Sequence, residues 1–186
     1  MKRLTNNRAA LSNVVSTLII LVVSVLLAGV VSMYAVNITS TRTQQEALKI
    51  GKQALWVYGN GTSYVALAID NVGGRDVVID KIQVRGVEAS WSNVYYIRLN
   101  HSISTSLNCP DATPTWTDFE YTQNETATFT SDANDKPLAS GDTMILYIRN
   151  PESVSVSDIG VSIGITVFTQ NAQYYVECNV KSAESV

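Results

Sequence analysis

The chain has 186 residues, 46 % of them hydrophobic and only 16 % charged, with a formal net charge of −3 from 13 basic and 16 acidic side chains. An acidic chain with no basic stripe argues against nucleic acid as a partner. Its two cysteines, Cys109 and Cys178, and its one histidine, His101, show no CxxC or HxxxH spacing, which excludes a zinc site built from them alone.

Three basic residues, Lys2, Arg3 and Arg8, open the chain, and no charged side chain follows between residues 9 and 41. The apolar stretch over residues 11–36 predicts a helix of about 39 Å at about 1.5 Å per residue, more than a bilayer core requires. Its polar members are Ser, Thr and Asn, which bond back to helix carbonyls and insert cheaply. The stretch is too long for the apolar region of an ordinary signal peptide. Its basic flank orients that end to the cytoplasm. At the junction Arg8-Ala9-Ala10-Leu11-Ser12, a basic residue and small residues run straight into the apolar segment. Cleavage there by a prepilin-type peptidase would remove the leader and keep the helix.

Residues 37–43 read as polar and poorly helical. Residues 44–53 regain helical spacing through Ala47, Leu48, Ala54 and Leu55, so the helix is expected to continue, kinked, to about Gln53. From Trp56 the period changes to two. Strands are expected at 56–58, 64–70, 77–85, 95–99, 144–148, 161–167 and 174–180, with a turn over 59–62 and a bulge near Ile79-Asp80. The stretch 102–136 is rich in Thr, Asn and Asp and predicts a long surface insertion. In an exported chain the two cysteines predict one Cys109–Cys178 disulfide, with two buried thiols as the alternative. Sequons at Asn60, Asn100 and Asn124 are candidate glycosylation sites, and a fourth at Asn37 lies beside the apolar helix.

The N-terminal run Leu11-Ser12-Asn13-Val14-Val15-Ser16-Thr17-Leu18-Ile19-Ile20 resembles the start of archaeal type IV pilins and archaellins. Leu67-Ala68-Ile69-Asp70-Asn71-Val72-Gly73, Val77-Val78-Ile79-Asp80-Lys81-Ile82 and Ser140-Gly141-Asp142 are similar to strands and loops of their heads. The resemblance implies cleavage after Ala9 or Ala10 by a class III signal peptidase. It implies a fold of class α+β: a long N-terminal apolar helix followed by an all-β immunoglobulin-like sandwich. Bacterial type IV pilins carry Phe at the new N-terminus and a Glu four residues on. This chain has Val14 at the Glu position if Ala10 is first, so the archaeal branch is indicated.

The expected organisation is a leader over 1–9, a filament-core or transmembrane helix with its extension over 10–53, and a β head over 54–186. Leu11, Val14, Val15, Leu18, Ile19, Val22, Leu26, Gly29 and Val30 are the candidate filament-core residues. The expected partners are identical subunits in a helical homopolymer, the cytoplasmic membrane before assembly, the prepilin peptidase and the type IV assembly machinery. The expected location is an extracellular surface filament serving adhesion. No hydrolase, metalloprotease or P-loop pattern occurs, so no enzyme, metal or cofactor is expected. His101 reads as a surface residue. Asp111, Asp118 and Glu120 read as solvated acids, since Pro114 and Trp116 interrupt any calcium-loop spacing. Two alternatives compete: a membrane-anchored β-sandwich binding or archaellum-accessory domain that does not polymerise, and a secreted domain behind an ordinary signal peptide.

Overall fold

A computed structural model describes residues 8–183, with side chains described for 11–41 and 44–183. The apolar segment forms one helix, α1, Arg8–Thr43, of 36 residues. Hydroxyls along it turn back on the backbone: Thr17 donates to the Val14 carbonyl at 2.9 Å, Ser24 to Ile20 at 2.7 Å, Thr39 to Ala35 and Thr41 to Asn37 at 2.9 Å each. Side chains satisfied in this way make no demand on water. Residues 37–43, expected to be polar and poorly helical with a kink, continue the helix.

The chain divides into two compact units, Met1–Thr43 and Gln44–Val186. The second is a mostly β domain with strands β1 Leu48–Tyr58, β2 Ser63–Asn71, β3 Val77–Val84, β4 Val87–Glu88, β5 Val94–Leu99, β6 Phe119–Thr122, β7 Glu125–Ala127, β8 Lys136–Leu138, β9 Thr143–Arg149, β10 Ser162–Thr169 and β11 Gln173–Ala183. One sheet runs in the order β4-β3-β10-β11-β1-β2-β9-β5, with β8 paired to β3, while β6 and β7 form a separate hairpin. The β1–β11 pairing is parallel, and β1–β2, β2–β9, β5–β9, β3–β10 and β10–β11 are antiparallel.

The expected helical extension to Gln53 is corrected here. The helix ends at Thr43, and Leu48 already opens β1. The cause is a β-bulge. The β1–β2 register shifts between Gly51 and Ala54, with Lys52 at φ +53°. The extra residue flips the alternation, so Leu48 and Ile50 before it and Leu55 and Val57 after it reach the same core cluster. Interrupted period-2 patterning thereby imitates the spacing of a helix. The expected bulge in β3 is present: β10 pairs Phe168 with Lys81 and Thr169 with Ile79, skipping Asp80.

The sheet has two apolar faces. Leu55, Leu67, Ile69, Ile79, Ile82, Leu138, Leu146, Ile165 and Val180 belong to one cluster drawn from both ends of the strand order. Ala54, Trp56, Tyr58, Tyr64, Ala66, Ile145 and Tyr147, on the alternate positions of β1, β2 and β9, form a second cluster with Leu107, Tyr121 and Phe129. Strands β1, β2 and β9 are thus covered on both faces, and residues 102–136 supply the second cover.

Candidate functional site

Every described residue of α1 from Leu11 to Thr41 is exposed. Leu11 is 68 % exposed, Leu18 61 %, Leu26 63 % and Val30 66 %. The consecutive residues Leu18, Ile19, Ile20, Leu21, Val22 and Val23 are all exposed hydrophobics, so the apolar surface runs right round the helix. A Cβ added to Gly29 would meet nothing within 4 Å. Val14, Val15, Ile19 and Val22 complete the expected core set, and all are open. The helix is long and apolar enough over Leu11–Thr41 to cross a membrane. The expected cleavage positions Arg8, Ala9 and Ala10 fall in its first turn, and leader residues 1–7 lie outside the described residues.

At the start of the head, residues 45–47 are clamped from two sides. Backbone amides of the β2–β3 loop bond to them: Val72 to the Ala47 carbonyl at 2.9 Å, Gly73 to the same carbonyl at 3.0 Å, and Gly74 to Gln45 at 3.2 Å. The Glu46 carboxylate accepts from the Thr169 hydroxyl, from Asn171 Nδ2 at 3.3 Å and from the Tyr174 hydroxyl at 3.5 Å. Two of the motifs behind the family resemblance meet here. Buried Asn71 donates to Arg75 at 2.8 Å and Leu138 at 3.2 Å, and its backbone exchanges bonds with Gly141 and Asp142 at 2.9 Å each. The Ser140 hydroxyl donates to the Gly73 carbonyl at 2.6 Å. Gly73 is required: a Cβ there would lie 2.6 Å from Ala47 N and 2.7 Å from Gln45 O, both backbone atoms.

The insertion is not a loose surface loop. Its segment 108–112 lies across the second face of the sheet, and three tyrosines bond its alternate carbonyls. Tyr147 donates to Asn108 at 3.0 Å, Tyr58 to Pro110 at 2.5 Å and Tyr64 to Ala112 at 3.3 Å. An extended segment presents every second carbonyl on one side, which this spacing matches. Burial, first among the causes, raises the pKa of all three hydroxyls, so they remain donors at any physiological pH. Trp116 sits above them, stacked on Tyr95 at 4.2 Å and 13° and within 6.3 Å of the rings of Tyr64, Phe119, Phe129 and Tyr147. Burial, then its bond to Glu125, raises Tyr121 to about 12.

The C-terminal end of the insertion is closed by a buried cation. Lys136 is 0 % exposed. Its ammonium bonds the Asp132 carboxylate, the Asn134 carbonyl and, at 3.2 Å, the Asp132 carbonyl. It also lies 4.7 Å and 4.8 Å from the ring centres of Trp91 and Tyr96. Bonds from Lys136, then from the Tyr96 hydroxyl at 2.7 Å and the Asn134 amide at 2.9 Å, hold the Asp132 carboxyl well below the usual range.

The expected Cys109–Cys178 disulfide is corrected: both cysteines are free. Cys109 packs with the aromatic cluster and Cys178 lies in the other one, so the two thiols serve opposite faces of the sheet. Burial raises both thiols. Asn60, Asn100 and Asn124 are all exposed, the first in the β1–β2 turn, the second just after β5 and the third between β6 and β7 at φ +63°. His101 is exposed with Nδ1 3.1 Å from Asn100 Oδ1. Asp111, Asp118 and Glu120 line one cleft of about 620 Å³ with Cys109 and Phe119. Among the described residues no group of three or more His, Cys, Asp or Glu is placed to hold a metal ion.

No protein-family model matches the sequence, and no curated protein is similar to it. Among solved structures, the chain is similar to a copper-bound PCuAC domain from PmoF2 at 12 % identity and TM-score 0.34, covering 75 % of this chain and 100 % of that one. It is also similar to the alkylpurine DNA glycosylase AlkC of Pseudomonas fluorescens at 8 % identity and TM-score 0.28, over 72 % of this chain and 30 % of that one. A β-glucosidase from Listeria innocua matches at 12 % identity and TM-score 0.27, over 76 % of this chain and 16 % of that one. These TM-scores fall short of a shared fold.

Proposed function

We propose that this chain is a structural subunit of an extracellular type IV pilus-like filament, assembled through its apolar N-terminal helix after leader cleavage and serving adhesion. The observation that carries this reading is the apolar helix Leu11–Thr41, 31 residues long with 0 % of its apolar window buried. Such a surface needs lipid or other helices on every side. Its length favours the second. At about 1.5 Å per residue it spans about 46 Å, whereas a bilayer core of about 30 Å needs about 20 residues. A plain anchor takes up such an excess by tilting, whereas in a bundle it extends the contact between neighbours. On this reading the head is an immunoglobulin-like sandwich on the outside of the polymer, supported by the antiparallel strand groups that share one interior cluster. The competing reading, a membrane-anchored β domain that does not polymerise, rests on the same helix.

The N-terminal residue of the mature protein from native cell surfaces separates the two. A start at Ala10 or Leu11 supports leader removal with the helix retained. A start near Val36 or an uncut Met1 overturns the filament reading.

A further inference from the structure

Strands β1 and β11 are paired over residues 55–58 and 180–183, although β1 begins at Leu48 and β11 at Gln173. Toward those ends β1 stays paired with β2 as far as Leu48, and β11 with β10 as far as Gln173, but the ladder between β1 and β11 does not continue. A cross-brace takes its place, built from residues 45–47 just ahead of β1. Its main chain is turned one way. The Gln45 and Ala47 carbonyls accept from the amides of the β2–β3 loop. The side chain between them is turned the other way. Glu46 accepts from Thr169, Asn171 and Tyr174, all of the β10–β11 hairpin. One short segment thus joins two strand pairs that do not pair with each other at this end.

Both anchors of the brace are fixed. Thr169 is buried, and its hydroxyl oxygen accepts from the amides of Asn171 at 3.4 Å and Ala172 at 3.0 Å. Tyr174 packs against the main core cluster. On the other side, Ser140 bonds the Gly73 carbonyl, and its own amide donates to Asp76 at 2.9 Å. The brace itself has less support. Residues 44 and 45 are exposed, 46 and 47 are half-buried, and strand pairing begins only at Leu48. The donors to Glu46 are two hydroxyls and an amide, all neutral, and among the described residues its carboxylate forms no ion pair. Water can replace neutral donors around a half-exposed carboxylate at modest net cost. Contacts of this kind open locally while the core stays closed.

We infer that Glu46 is a latch on the joint between helix and head. The helix ends at Thr43 and β1 begins at Leu48, so residues 44–47 are the whole connection. Closed, the latch ties 45–47 to the β10–β11 hairpin and shortens the free joint to residue 44. Open, it releases 44–47 as a linker, which absorbs motion that a closed joint delivers to both strand pairs. This goes beyond the filament reading and does not need it, since every group of the latch lies in the head unit. The test uses the full chain in detergent micelles and measures backbone order parameters and amide hydrogen exchange. Wild-type residues 45–47 are expected near about 0.85, the value of rigid backbone. In Glu46→Ala they should fall below about 0.6, with exchange at the amides of residues 72–74 about tenfold faster, while β2 and β9 hold their values. Asn171→Ala removes one donor from an exposed position, so it leaves the core alone and should shift the same residues in the same direction by a smaller step. Wild-type residues 45–47 already below about 0.6 overturn the proposal, as does a Glu46→Ala chain that keeps the wild-type values there. A loss spread equally over β2 and β9 also overturns it, because Glu46 would then hold the fold and not the joint. Each of these results leaves the filament reading standing, because that one is decided by the mature N-terminus.

Discussion

Replacing Trp116 with alanine tests whether residues 102–136 are a structural layer or a decoration. Trp116 is the hub of the aromatic cover, stacked on Tyr95 at 4.2 Å and in contact with Phe119, Phe129 and Tyr147 at 5.3 to 5.9 Å. Removing a large aromatic from a core costs about 3 to 5 kcal/mol. Trp116 is partly exposed, which lowers that figure, while the lost stacking on Tyr95 adds about 0.5 to 1.5 kcal/mol. A loss of about 3 kcal/mol follows. The assay is equilibrium urea unfolding of the fragment 44–186, the unit that contains both clusters. Limited proteolysis supplies a second readout, with faster cleavage confined to 102–136. A cost below about 0.5 kcal/mol, the usual scale for a surface substitution, would refute the account of the insertion as a packed layer.

Gly73→Ala should cost about 1 to 3 kcal/mol, because the new methyl meets Ala47 N and Gln45 O in a segment whose carbonyls already accept from residues 72–74. Gly59→Ala is the control, since a Cβ there meets nothing within 4 Å, and hydrogen exchange should quicken at residues 72–74 in the first variant alone. Asp132→Asn should lower head stability in a pH-dependent way. The folded carboxyl is depressed by Lys136, so its contribution is fully present above the unfolded value of about 3.9 and is lost as pH falls below that toward the folded value. The urea midpoints of wild type and variant should therefore differ by a constant amount at pH 5 to 7 and converge below about pH 4. A gap that stays constant at pH 3 would show that the pair with Lys136 is not what sets it.

Most of the strands were legible because β10 and β11 keep one face to solvent and so alternate cleanly, and β3 alternates on either side of its bulge. The second core was missed, although its signal was present. Ala54-Leu55-Trp56-Val57-Tyr58 and Met144-Ile145-Leu146-Tyr147-Ile148 are apolar in both phases of the alternation. Such runs mark strands buried on both faces, which requires a cover, and the one long unassigned stretch was 102–136. The tyrosine-to-carbonyl bonds to 108, 110 and 112 leave no local pattern, since their donors come from β1, β2 and β9. The β1 bulge was hidden for a related reason: one inserted residue turned a strand pattern into helical spacing. The buried lysine was illegible too, because Lys136 looks like any surface charge until Trp91 and Tyr96 are brought around it.

The two units meet their burial requirements in opposite ways, and this decides where specificity in an assembly must come from. The head draws both of its clusters from its own described residues, 48–183. The helix encloses nothing. On the filament reading it leaves lipid for the company of other helices, and the two surroundings are about equally apolar, so the hydrophobic effect contributes little to the transfer. Close packing must then select the partner, and close packing depends on positions where a neighbour can approach the backbone. Gly29, with open space around it and Ala28 and Ser32 nearby, is such a position. A leucine at residue 29 would leave the helix as apolar and as insertable as before while holding neighbours apart. Loss of filaments with undiminished membrane residence in that variant would show packing, rather than hydrophobicity, to be the source of order. Filaments of normal yield would return the helix to the role of an anchor.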